Sequence, residues 1–126
     1  SISAYMGTPY IADYAAAKAY VLALGEGLHT ELKPQNVDVT VLMPGPTRTE
    51  MVQMEGTDMS NMPAMMWMNA DAVAKAGLRG LGRRRTVVPG LVNKVATLMM
   101  TRVMPRATAS DMFGGMMKDA MDPALV

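Results

Sequence analysis

From Ile11 to Leu32 the apolar residues Ile11, Val21, Leu22, Leu28 and Leu32 recur at helical intervals, with alanine filling much of the rest. That spacing predicts one long helix. Gly25 and Gly27 cost it some helix propensity, and Pro34 stops it just beyond Leu32. After the turn Pro34-Gln35-Asn36, the β-branched run Val37 to Met43 predicts a strand buried along nearly its whole length, ended by Pro44-Gly45-Pro46. From Thr47 to Met68 the periodicity is lost among methionines, Gly56, Ser60, Asn61 and Pro63, and a long irregular excursion is expected.

The pattern then resumes. Asn69 is placed to cap a helix whose face carries Val73, Ala74, Leu78 and Leu81, weakened at its end by Gly80 and Gly82. Thr86-Val87-Val88 predicts a short strand before Pro89-Gly90. Leu91 to Met104 is a further helix, with Leu91, Val92, Val95, Leu98, Met99 and Val103 on one broad apolar face and Pro105 as its stop. Ser110 is placed to cap a last helix bearing Met112, Phe113, Met116, Met117 and Met121. Strands alternating with helices indicate an α/β fold with parallel strands.

Composition narrows the functional classes. The 126 residues are half hydrophobic, as in one ordinary globular domain. A net charge of +1 gives no broad attraction for nucleic acid or for an acidic membrane, so a charged partner needs a local patch. With no cysteine, thiolate catalysis and disulfides are excluded, and with His29 the one histidine, no histidine-built metal site is expected. No apolar run is long enough to span a bilayer and no secretory signal opens the chain, so a cytoplasmic location is the expectation. The 16 methionines suit an adaptable pocket lining or a loosely specified core, and the second reading is the simpler.

Chemistry enters where the long helix breaks its own rule. Tyr14 and Lys18 stand four residues apart on the stripe continued by Val21, Leu22, Gly25 and Leu28, so they share a face and the ammonium can favour ionisation of the phenol. Such a phenol is a better general acid and base. The plainer reading is a packed tyrosine beside a snorkelling lysine. Ser1, thirteen residues before Tyr14, can aim its hydroxyl at the same substrate oxygen. Pro44 to Thr49 follows a buried strand, and ligands of open α/β sheets bind in the crevice at strand carboxyl ends.

Ser1, Tyr14-Ala15-Ala16-Ala17-Lys18 and Pro44-Gly45-Pro46-Thr47-Arg48-Thr49, in this order and spacing, resemble the short-chain dehydrogenase/reductase family over essentially the whole chain. The resemblance implies a Rossmann-like doubly wound parallel sheet of which only the C-terminal portion lies in residues 1–126. It also implies an NAD(P)(H) cofactor, with NADP somewhat preferred on family grounds. Tyr14 would be the general acid/base; Ser1 would orient the substrate oxygen, and Lys18 would assist the phenol and hold the nicotinamide ribose. Pro44, Gly45, Thr47 and Thr49 would lie against the nicotinamide, with Thr47 in place of the usual aliphatic residue. Residues 47–68 would form a substrate lid and residues 91–121 the C-terminal helices. The methionines of that lid suggest a small lipophilic substrate, with Ser1, Tyr10, Met51, Met54 and Trp67 facing it, although filling core space is at least as good a reading of Tyr10 and Trp67.

The family's glycine-rich phosphate-binding turn is expected upstream of Ser1; no Gly-x-x-x-Gly-x-Gly occurs here. Residues 1–126 alone are therefore expected to be poorly stable, to bind cofactor weakly or not at all, and to be inactive as an isolated fragment. The resemblance also implies a homo-oligomer packed through the small residues Ala12, Ala16, Ala19 and Ala23, which could instead pack on the chain's own sheet. Arg83 to Arg85 are explained by helix-end charge and solvation, and His29 by the solvated helix edge. Nucleic acid is not expected as a partner. The competing reading is a non-enzymatic module that binds a membrane surface or a partner helix through the apolar faces of 91–104 and 112–121, which carry Lys94, Arg102, Arg106 and Lys118.

Overall fold

Four helices and four short strands make up the computed structural model, which describes residues 1–50, 59–60 and 62–121. A 3-10 turn, Ile2–Tyr5, leads into α1 (Ala12–Glu31). Then come β1 (Val41–Leu42), β2 (Thr47–Arg48), β3 (Met68–Asn69), α2 (Ala70–Gly80) and β4 (Thr86–Val87). The chain continues through α3 (Leu91–Leu98), a π-helical turn (Met99–Val103) and α4 (Arg106–Ala120). Strand β1 pairs parallel with β4, Val41 opposite Thr86 and Leu42 opposite Val87; β2 pairs parallel with β3, Thr47 opposite Met68 and Arg48 opposite Asn69.

Glycines decide how the helices lie on β1 and β4. A side chain at Gly25 of α1 would collide with Val41, whereas one at Gly77 or Gly80 of α2 would collide with Leu42 or Val87. Successive strand residues point to opposite faces. Val41 therefore faces α1, while Leu42 and its partner Val87 face α2, so the two helices cover opposite faces of one parallel pair. This is the doubly wound arrangement. The glycines that weaken both helices in isolation are where backbone and strand side chains meet.

Two apolar clusters fill the interior. Ala4, Leu22, Val41 and Met43 form one under α1; Met6, Met62, Ala109, Phe113 and Met117 form the other against α4. Methionine here is core filling, in keeping with its flexible thioether chain.

Several expectations are corrected. The strand expected over Val37–Met43 is regular only at Val41–Leu42, with Val37 exposed, because its partner β4 begins at Thr86 after the turn at Gly82. The ladder extends one step at either end, Val41 N–H to Arg85 O and Met43 N–H to Val87 O. The excursion from Thr47 to Met68 is not wholly irregular, since its two ends pair as β2 and β3. Asn69 stands at the N-cap of α2 without a side-chain cap; its Oδ1 accepts from Arg48 Nη1 at 3.4 Å. Ser110 lies inside α4, whose start is set by Pro105, and donates to Gly7 O at 2.6 Å. His29 is half-buried rather than at a solvated edge, with Nδ1 2.6 Å from Val39 O, tying α1 to the approach to β1.

The largest reversal is α3. Its buried residues are Asn93 and Thr97, while Leu91, Val95 and Leu98 are 76, 52 and 57% exposed. The broad apolar face expected from the spacing is present, and it points outward. Along α1 the inward residues are Ala15 and Leu22; Ala12, Ala16 and Ala23 are exposed, so the small-residue stripe does not pack on the chain's own sheet.

Candidate functional site

At the carboxyl end of β1 two of the sequence-derived segments meet. Ile2 N–H donates to Pro44 O at 3.1 Å, which lays the Ser1 segment beside the Pro44-Gly45 turn. Ser1 caps the 3-10 turn: its Oγ accepts from Ser3 N–H at 3.2 Å and shares a hydrogen bond with the buried Ser3 Oγ at 2.7 Å. The hydroxyl is thus held in one rotamer.

Tyr14 lies in the first turn of α1 and is 37% exposed. Lys18, one turn on and partly buried, holds its Nζ 5.2 Å from the Tyr14 ring centroid. That is cation–π distance. The pairing expected from the spacing is therefore present, with the ammonium over the ring. Tyr10, just before the helix, is exposed and has φ +69°, a left-handed conformation that a non-glycine residue adopts only when its surroundings impose it.

On the far side of the turn, Thr47 folds back, its Oγ1 donating to Gly45 O at 3.0 Å. The unusual threonine thereby braces the turn. Thr49 is exposed. Trp67 is half-buried against the Met6–Phe113 cluster, so it fills core space. Met51 and Met54 lie outside the described residues. Among the described residues, two clefts are lined by none of Ser1, Tyr10, Tyr14, Lys18 and Trp67. One of about 340 Å³ lies between Tyr5, Val88, Lys94, Thr97, Leu98, Thr101 and Arg102; a smaller one runs from Tyr5 and Met6 to Met104 and Arg106.

Asn93 went unnoticed in the sequence. It is 1% exposed, its Nδ2 donates to Met66 O at 3.0 Å, and its amide fills the space a side chain at Gly45 would occupy. It therefore joins the Pro44-Gly45 turn to the end of the 47–68 excursion. A polar residue on the face of a helix opposite its aliphatic residues was the available signal. Asn93→Ala is expected to cost about 2 kcal/mol by leaving the Met66 carbonyl unpaired beside a cavity, measured as a lower urea midpoint at unchanged slope.

Comparison with known proteins bears on the family and the fold. Residues 1–60 match the short chain dehydrogenase family model. The chain is 34% identical over 95 residues to the 7beta-hydroxysteroid dehydrogenase of Clostridium sardiniense, an alignment covering 75% of this chain and 36% of that protein. It is 32% identical over 109 residues to dehydrogenase/reductase SDR family member 7B of Xenopus tropicalis, covering 80% of this chain and 35% of that protein. A solved structure concerned with 7beta-hydroxysteroid dehydrogenase stereoselectivity superposes with a TM-score of 0.72 at 22% identity, over 85% of this chain and 42% of that one. The chain thus spans little more than a third of the length of these curated relatives, and its fold is the Rossmann-like α/β fold that the family resemblance implied. With motif order, parallel topology and relatives in agreement, the chain belongs to the short-chain dehydrogenase family.

Proposed function

We propose that residues 1–126 form the tyrosine-bearing, substrate-facing part of an NAD(P)-dependent oxidoreductase that interconverts a carbonyl and an alcohol on a lipophilic substrate. The observation that carries this reading is Tyr14 under the Lys18 ammonium in a chain whose Ser1 segment is held to the Pro44-Gly45 turn. A bound nicotinamide would supply or accept the hydride. In the reducing direction Ser1 Oγ donates a hydrogen bond to the carbonyl oxygen, and Tyr14 Oη gives that oxygen its proton as the hydride reaches the carbon. Lys18 stabilises the phenolate left behind, which recovers its proton from solvent, and the oxidation runs in reverse.

The residues fit such a cofactor. Lys18 offers a partly buried cation for ribose hydroxyls, and Pro44, Gly45 and Thr47 present a braced turn at a strand carboxyl end, with Thr49 exposed beyond it. The relatives named above are dehydrogenases or reductases, so a purely non-enzymatic module is not adopted. The lipophilic class of substrate rests on the name of the hydroxysteroid dehydrogenase relative and on the methionine-rich excursion. Assembly into a homo-oligomer through the exposed small residues of α1 belongs to the same proposal.

The test is ketone-dependent NADPH consumption by the protein joined to its phosphate-binding half, with steroid ketones assayed first. Lys18→Met should raise the KM for NADPH and lower kcat, together costing kcat/KM about a hundredfold or more. Unchanged kinetics in that variant would overturn the assignment.

A further inference from the structure

Charge is segregated along this chain in a way that its net value hides. Residues 72–110 carry eight of its twelve lysines and arginines and none of its eleven acidic residues. Within that stretch, α3 and the π-helical turn present Leu91, Val95, Leu98, Met99 and Val103 to solvent, 46 to 76% exposed, while the polar Asn93 and Thr97 point inward. Lys94 is three residues after Leu91 and four before Leu98, so it borders the same face, and Arg102 follows Leu98 by four. Lys94 and Arg102 both line the cleft of about 340 Å³ with Leu98, Thr97 and Thr101, bringing two cations to one opening beside the aliphatic residues. Arg106 follows, and it too is exposed.

We propose that this face is a docking surface for an anionic lipid bilayer. Aliphatic side chains enter the boundary of the acyl region, and Lys94, Arg102 and Arg106 meet acidic headgroups around them. A nucleic acid would use the cations and leave the aliphatic face in water. A second copy of the chain would bring the same three cations together. No helix of the described residues is long and apolar enough to cross a membrane, so the contact is peripheral.

The proposal is independent of the catalytic reading and is tested without turnover. The purified protein, with its fold verified by circular dichroism, is sedimented with phosphatidylcholine vesicles, with and without phosphatidylserine. Binding is expected only to the acidic vesicles, with Lys94→Gln plus Arg102→Gln lowering the partition coefficient about tenfold or more. Leu98→Glu, at an exposed position that folding does not need, should abolish it. Equal binding to both vesicle types, no binding to either, or binding unchanged in Leu98→Glu would overturn the proposal. So would a dimer that Leu98→Glu dissolves, or capture of duplex DNA in place of vesicles.

Discussion

Tyr14→Phe, in the protein joined to its phosphate-binding half, is expected to lower kcat for ketone reduction by about a hundred- to ten-thousandfold. The KM for substrate should change little. The substitution removes one oxygen from a ring that is 37% exposed and leaves the Lys18 ammonium a face to rest on, so neither packing nor the cation–π contact is disturbed. What disappears is the proton donor to the developing alkoxide, an interaction that matters in the transition state far more than in the ground state. Steady-state kinetics beside an unchanged thermal transition would separate this outcome from misfolding. A kcat within a few-fold of the parent would remove Tyr14 from the chemistry.

Gly25→Leu should produce the largest loss of stability of any single change in α1, about 3 kcal/mol, seen as a fall in Tm on the order of 10 °C. Leucine has the better helix propensity, so an isolated helix would gain from the change. In the folded chain a side chain at this position runs into Val41, which also packs with Ala4, Leu22 and Met43. The helix must then rise from the strand pair. Pairing Gly25→Leu with Val41→Ala should recover part of the loss, since the two residues compete for one space. A thermal melt of the single variant that matched or exceeded the parent would show that α1 does not rest on β1 through this glycine.

The contrast between these positions shows what the sequence makes legible. Tyr14 and Lys18 could be paired in advance because their relation is local: four residues along a helix fix the geometry whatever surrounds it. The order of α1, β1, α2, β4, α3 and α4 was equally readable from period and turn residues, whereas β2 and β3 were not. Gly25 and Gly80 read only as weak points, because their value lies in contact with Val41 and Val87, residues outside their own helices. For α3, periodicity identified an aliphatic face correctly but could not say which way it points; Asn93 and Thr97 turn inward, Asn93 to reach Met66 O and the Gly45 turn. Strand length was overestimated for the same kind of reason. Val37 to Thr40 include strand-forming side chains, but β4 offers no partner before Thr86.

The parallel pairing of Thr47 with Met68 and of Arg48 with Asn69 fastens the excursion at its base, and Asn93 secures it again at Met66. A loop whose ends are fixed by the scaffold can change length at little entropic cost, each doubling adding only about 0.6 kcal/mol. Those fastenings hold the ends of the excursion without calling on Tyr14 or Lys18, so a change of sequence between them need not move the tyrosine-bearing helix.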